Sequence, residues 1–361
     1  MRILITGNAG YSGPCVIRQL RQTWPGARLI GVDTGYFEDC APNAESAAVD
    51  HRIDADIRDL PAGIFNHVNA VVHLAALSDD STAKTFESAV GEINCRAALD
   101  IAKKAKKAGV KSFVFASSCK VYRASEEDIP RTENCELNPL TAYARSKVAA
   151  EQGLKGLAGR EFTVSSLRFA TACGMSPRLR PDTILNHYVA SAISSGQIRV
   201  TSSGAAWLRL IHVRDMARAN DWAVARPGAN GGAFLAMNTG SDAWTLRVND
   251  LANAVAGAVP GATVSFLRDA PPETGSWRVD FSLFRRLAPL HQPREKVASA
   301  IAGMKTALEA HFARHGTDTS RMHRVKVLSG LLQQGRLRAD LRWASVLQPE
   351  PESFALAGAG R

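Results

Sequence analysis

No stretch of the 361 residues approaches the roughly 18 consecutive apolar residues that a membrane-crossing helix needs. No signal peptide precedes the opening "MRILITG", which starts directly as a buried strand, so the expected location is the cytoplasm. The six cysteines, Cys15, Cys40, Cys95, Cys119, Cys135 and Cys173, show no CxxC spacing and no nearby histidine pair. That excludes a zinc site and a disulfide framework, so reduced thiols and no metal are expected. Nothing repeats internally. Acidic residues are in short supply, 34 against 44 basic ones, for a formal net charge of +10. Such a surplus suits either nucleic acid or an anionic small ligand on a protein with a basic surface. It gathers near the C-terminus, in "FRRLAPLHQPREK" and in "RMHRVKV" through "GRLRADLR", where charges alternate with leucine and valine at helical spacing. These read as solvated helix faces. No RRM, KH or zinc-finger pattern accompanies them, so nucleic acid is the lesser reading.

What is present is an ordinary globular composition, 45% apolar and 22% charged, in a chain long enough for two domains or one large α/β domain. The first half alternates apolar strands with amphipathic helices: "RILITG", "PCVIRQLRQTW", "RLIGVD", "AVVHLAA", "EINCRAALDIAKKAKKAG", "SFVFASS", "TAYARSKVAAEQGLKGLAG" and "TVSSLRFA". This order predicts a parallel sheet covered on both faces. Beyond residue 175 the pattern loosens, then "WLRLIHVRDMARANDWAVA" and "GGAFLAMN" predict a strand, a helix and a further strand rejoining the first domain. A smaller helical region extends from about residue 260, and "QPEPESFALAGAGR" reads as a disordered tail.

"TGNAGYSG" sets Gly7, Gly10 and Gly13, with Asn8, Ala9 and Tyr11 between them, directly after the first strand and at the mouth of a helix. Glycine lets the backbone approach a pyrophosphate closely, and a helix N-terminus supplies N–H donors and positive dipole. Asp33 closes "LIGVD" about 20 residues further on, where a carboxylate accepts ribose hydroxyls and repels a 2′-phosphate. With no arginine at Thr34 or Gly35, the expected cofactor is NAD rather than NADP. "DIRD" adds Asp56 and Ile57 in positions suited to an adenine edge. "TAYARSK" places Tyr143 and Lys147 at i and i+4, on one helix face a single turn apart. An ammonium beside a phenol favours the phenolate and lowers its pKa from about 10 towards working pH. The bland alternatives, a ligand-free glycine turn and a surface Tyr/Lys pair, lose ground because these motifs occur together.

The set TGNAGYSG, Asp33, DIRD, HLAA, SSCKVY and YARSK resembles the extended short-chain dehydrogenase/reductase family, and within it the NAD-dependent epimerase/dehydratase group acting on nucleotide-diphosphate sugars. The resemblance runs from residue 1 to about residue 315. It implies an α/β fold, a Rossmann-type doubly wound parallel sheet with a smaller C-terminal substrate-binding domain. The expected boundaries are 1–175 for the NAD-binding domain, rejoined by about 205–240, and 176–204 with 241–345 for the substrate-binding region. Residues 346–361 form the tail. By the same resemblance Ser118, four residues before Tyr122, bonds the reacting hydroxyl. Asn94 is a structural asparagine, and Leu74, Ala75 and Ala76 contact the cofactor. Such enzymes oxidise a sugar transiently, usually at C4, and commonly form homodimers through two long helices.

Dehydratases of the family carry Asp-Glu after the serine or threonine, and simple 4-epimerases carry small or neutral residues. Cys119 and Lys120 match neither set. Lys120 as acid or base beside the ketone, partnered by Cys119, is one reading; an inert filler and a substrate contact is the other. On the substrate side the resemblance implies contacts from Thr171, Asn186 and Arg278. It also implies an arginine four residues before His212, where Leu208 stands, with Arg209 one residue along. A shift of one residue reverses the face of a strand, so either a bulge restores Arg209 or that contact is lost. The expected function is an NAD-dependent nucleotide-sugar epimerase. A dehydratase or 4-ketoreductase, and a non-catalytic dinucleotide-sensing or nucleic-acid-binding relative, are the alternatives.

Overall fold

The computed structural model describes residues 1–40, 48–122, 129–267 and 276–345. The expected tail lies outside the described residues. The strands in chain order are β1 (Arg2–Thr6), β2 (Arg28–Asp33), β3 (His51–Asp54), β4 (Ala70–His73), β5 (Ser112–Ser118) and β6 (Thr163–Phe169). They are followed by β7 (Thr171–Cys173), β8 (Gln197–Val200), β9 (Trp207–His212), β10 (Phe234–Thr239), β11 (Thr245–Arg247) and β12 (Thr263–Phe266). Seven of them form one parallel sheet in the order β10-β6-β5-β4-β1-β2-β3. Helices cover both faces, which is why Ile3, Leu4 and Ile5 are buried in succession instead of alternating. The order reverses between β1 and β4, and in such a sheet a crevice opens there beyond the carboxyl ends of the strands. The doubly wound expectation holds.

Two smaller sheets, β11-β9-β7 and β12-β8, make up the rest of the β structure among the described residues. The sequence pattern predicts that this strand and the helix after it rejoin the first domain; β9 pairs with β7 and β11, outside the main sheet. The place beside β6 is taken by β10, whose Phe234 to Thr239 run in register with Val164 to Phe169. Of that stretch, the helix Val213–Ala225 and β10 return to the first domain. Asp221 on that helix anchors it, accepting from Trp24 Nε1 (2.9 Å), Thr23 Oγ1 (2.7 Å) and Gln19 Nε2 (3.1 Å). The last described residues depart from the expected partition. Residues 320–343 pack on the nucleotide-binding half, against the loop that follows β2. No helix among the described residues is long and apolar enough to cross a membrane.

The helix Ala142–Leu157 carries both YARSK residues, and a buried charge network sets its position. Glu151, two turns beyond Tyr143, accepts from Arg168 of β6 through Nη2 at 2.7 Å and Nε at 3.1 Å. It also accepts from Ser117 of β5 (2.5 Å) and Ser166 of β6 (3.0 Å). Arg168 Nη1 donates to Tyr122 Oη at 2.7 Å, and Tyr122 donates to Asn238 of β10 at 2.8 Å. The Arg168 and Glu151 side chains are 6% and 5% exposed, so losing either partner strands a buried charge. We expect Glu151→Ala to lower stability by about 3–5 kcal/mol in urea unfolding, and Glu151→Leu with Arg168→Met to recover part of it. Equal losses in the single and double variants would refute the stranded-charge explanation.

Candidate active site

The crevice is a cavity of about 740 Å³ at the carboxyl end of the sheet. Gly7 sits at φ +73°, and a Cβ there would lie 2.6 Å from Ala75 N. At Gly13 a Cβ would overlap Asn8 O at 2.1 Å. The turn therefore admits backbone alone, leaving Gly10, Tyr11 and Ser12 facing the cavity at the start of the helix Gly13–Thr23. The Ser12 side chain makes no cap hydrogen bond, so the helix N–H donors there remain for a ligand. Asp33 accepts from Ala9 N and Gly35 N, both at 3.0 Å. Burial raises its pKa, and those two N–H groups oppose the rise. Asp56 is held by Arg58, at 2.5 Å from Nη2.

Gly7, Gly10, Tyr11, Asp33, Asp56, Ile57, Leu74, Ala75 and Ala76 all line the cavity, as expected of a dinucleotide cradle. Asn8, Ala9 and Gly13 do not; they shape the turn from behind. Asn94 accepts from Leu77 N (2.9 Å) and donates to Leu77 O (3.0 Å) and Ser146 Oγ (3.2 Å). It thereby ties the loop after β4 to the helix of Tyr143. His73 bonds Thr6 Oγ1 at 2.8 Å, and burial takes its pKa down to about 3, so it is neutral structure.

Ser118, Tyr143 and Lys147 line the same cavity as the glycines. Thr141 caps their helix by accepting from Ala144 N at 3.2 Å. Lys147 Nζ donates to Ala116 O at 2.7 Å and lies 4.6 Å from the Phe115 ring centre and 5.7 Å from that of Tyr143. Burial lowers its pKa to about 7, against the attraction of Glu151. Burial also pushes the Tyr143 phenol up to about 12, opposed chiefly by the hydrogen bond with Ser118. The expected lowering of the tyrosine by the lysine is therefore not seen: burial disfavours both charges and is the largest cause at each group.

"SSCKVY" divides in two. Cys119 is 1% exposed and does not line the cavity; its Sγ donates to Arg168 O at 3.0 Å, and burial raises its pKa to about 12. That is the geometry of a packing thiol. Lys120 lines the cavity, but its Nζ is 2.5 Å from Asp80 Oδ2. Asp80, in "LSDDS" beyond the HLAA strand, carries no local signal in the sequence because its partner is forty residues away.

Thr171 and Arg209 also line the cavity. Arg209 needs no bulge: Thr245, Leu246 and Arg247 pair in unbroken register with Arg209, Leu208 and Trp207. Its guanidinium stacks 3.7 Å from the Trp277 ring centre, and Nε has no partner among the described residues. Asn186 differs from expectation. It accepts from Gly174 N (2.9 Å), donates to Tyr11 Oη (3.0 Å) and Arg180 O (2.9 Å), and does not line the cavity. An amide spent on backbone and tyrosine braces the entrance. Arg278 also lies off the cavity, 5.6 Å from the ring centre of Trp207, which lines it. Arg180 does line it, held by Asp182 and donating to Ser78 Oγ at 2.7 Å.

A glycine cradle, a strand-end acid, and a serine–tyrosine–lysine set facing them define a dinucleotide-dependent enzyme of the short-chain dehydrogenase/reductase class. Within that class the sequence matches the NAD dependent epimerase/dehydratase family over residues 3–237, and the chain belongs to it. Among curated relatives, a UDP-glucose 4-epimerase of Pasteurella multocida is 29% identical over 285 residues, 70% of this chain and 83% of that one. Among solved structures, TunA, an NAD-dependent NDP-hexosamine 5,6-dehydratase, superposes with a TM-score of 0.75 at 22% identity, over 88% of this chain and 99% of its own. MoeE5, solved with UDP-glucose and NAD, gives 0.73 at 22% identity, over 86% and 99%. These structural likenesses carry the fold. NAD is the cofactor, and the cradle of Gly7, Gly10 and Asp33 fits it.

Lys147 gives a pH signature. Between its folded value of about 7 and its ordinary 10.5, the unfolded chain holds a proton the folded chain has lost. Stability from this group therefore rises with pH across that window, and below it the full burial penalty applies. In NAD-free protein, Lys147→Met should melt higher than wild type near pH 7, the gap closing towards pH 10. A gap independent of pH would contradict the assignment.

Proposed function

We propose that the protein is an NAD-dependent 4-epimerase of a nucleoside-diphosphate sugar, working through a transient 4-keto sugar. The observation that carries this reading lies immediately after Ser118 in the chain. Ser118, Tyr143 and Lys147 face the cavity together, whereas no Asp-Glu acid–base pair stands beside them: Cys119 is packed away and Lys120 is bound to Asp80. When bound, NAD supplies a hydride acceptor and donor at the sugar C4. Tyr143 takes the proton from the C4 hydroxyl and returns it, with Ser118 bonding the same hydroxyl and the phenolate. Lys147 would hold the nicotinamide ribose and favour the phenolate. Arg209, flat against Trp277 with an unpartnered Nε, offers its fork to the substrate diphosphate, with Thr171 near the sugar. Lys120 would contact a sugar hydroxyl. We place the enzyme in the cytoplasm, as a homodimer through the helix Ala142–Leu157 and its neighbour Ala98–Lys107.

One observation favours a second reading: the Lys120–Asp80 pair lines the cavity, and a lysine released from its aspartate could take a proton beside the ketone, as a dehydratase requires. Purified protein, NAD and a panel of UDP-, dTDP-, GDP- and CDP-sugars in D₂O, read by NMR, separate the two. A 4-epimerase gives inversion at C4 without deuterium at C3 or C5. Deuterium at C5 with loss of the C6 hydroxyl would establish the dehydratase instead. A ketoreductase would require cofactor exchange at every turnover, so NAD that co-purifies weighs against it. Tyr143→Phe should lower kcat by about 10²–10⁴-fold with NAD occupancy unchanged. A variant with full activity would remove the tyrosine from the chemistry.

A further inference from the structure

Arg324 opens the helix Arg324–Gln333, beyond residues 3–237 that match the family, yet it lines the same cavity as Gly10 and Asp33. It is 6% exposed, and its guanidinium lies 4.2 Å from the Phe37 ring centre. Nη2 donates to Arg178 O at 3.3 Å, while Nη1 is buried with no hydrogen-bond partner among the described residues. Nor, among those residues, does any carboxylate lie within ion-pair distance of it. Burial is the main cause lowering its pKa to about 10, and Arg180 and Arg178 add repulsion against the pull of Cys40 and Asp182. A buried cation left short of hydrogen bonds and crowded by two others is costly unless an anion joins it.

The surroundings identify which anion. Phe37 stands four residues past Asp33, and Arg178 is one of the cations whose field reaches Asp33. Arg180, which repels Arg324, in turn acts on Tyr11 at the mouth of the helix Gly13–Thr23. Asp182 and Asp79 lie beside Arg180, but both are occupied: Asp182 by Arg180, and Asp79 by the N–H of Thr82 at 2.7 Å. Arg324 thus shares the cavity with Asp33 and Tyr11 and stacks on Phe37 of the loop that follows Asp33.

The segment bearing it is fastened to the loops that hold the adenosine end. Tyr36 Oη donates to Leu341 O, and Trp343 Nε1 donates to Thr34 O at 2.8 Å. Arg58, which holds Asp56, donates to Asp340 O at 2.7 Å, and Arg342 pairs with Asp59 at 3.1 Å. Trp343 also packs against Tyr36, ring centres 5.7 Å apart. We propose that Arg324 binds the pyrophosphate of the dinucleotide and that residues 320–343 form a strap retaining the cofactor through turnover. The strap would then serve an enzyme that reuses one NAD without releasing it.

The test compares full-length wild type with Arg324→Gln by calorimetry after NAD removal, with NAD, ADP and adenosine as ligands. NAD and ADP affinity should fall about tenfold or more, the loss of one charge-assisted contact, while adenosine affinity stays unchanged. The fraction of NAD that co-purifies should fall in parallel. An unchanged ADP affinity overturns the proposal, as does an equal loss for adenosine, which would mean a general disturbance of the pocket. Intact NAD binding with weakened UDP binding to the NAD-loaded protein also overturns it, by giving Arg324 to the substrate. Should the glutamine variant fail to fold, Arg324→Lys and Trp343→Ala carry the test. The lysine should bind ADP several-fold more weakly than wild type, and Trp343→Ala should release NAD faster. Unchanged values in both overturn the strap. None of these readouts depends on which sugar is epimerised.

Discussion

The bond between Glu151 and Arg168 is the constraint on which the site depends. It joins the helix of Tyr143 and Lys147 to β6, and through Ser117, Tyr122 and Asn238 it reaches β5 and β10 as well. A helix packed by apolar contacts alone has several near-equivalent rotations, whereas a buried fork–carboxylate pair has one satisfied geometry. The register of Glu151 fixes where residues one and two turns earlier emerge. Tyr143 and Lys147 therefore line the cavity that the glycine turn also lines, with Ser118 bonded to Tyr143.

Desolvation governs the chemistry at that face. Burial raises Tyr143 and lowers Lys147, so the pocket holds both groups neutral more readily than as an ion pair. On the reading proposed above, bound ligands would bring charge and hydrogen bonds of their own, and those would decide when the phenolate forms. A residue pair poised in this way acts when a ligand completes its surroundings, which suits an enzyme whose proton transfers belong to the bound state.

The cavity is asymmetric in charge. Arg178, Arg180 and Arg324 lie close enough to act on one another, and Arg209 stacks on Trp277. Two diphosphates, one of the cofactor and one of a nucleotide sugar, would each find a guanidinium at its own end.

The residues legible in the sequence are those whose meaning is local. Gly7, Gly10 and Asp33 follow from a strand, a turn and a helix in sequence, and Tyr143 and Lys147 from one helical turn. The residues that local patterns misplace or miss depend on partners far along the chain. The family resemblance makes Asn186 a substrate contact, yet folding hands its amide to Tyr11, 175 residues away. Lys120 carries no local sign of its pairing with Asp80, and Arg209 reads as misdirected unless its strand is known to lie in a separate small sheet. By itself the sequence determined the doubly wound sheet, the dinucleotide turn and the tyrosine–lysine face, because backbone conformation and helical periodicity are short-range. Tertiary structure alone decided which charges are paired, which line the cavity, and that a segment near residue 324 returns to the cofactor end, because these follow from long-range packing that no local pattern encodes.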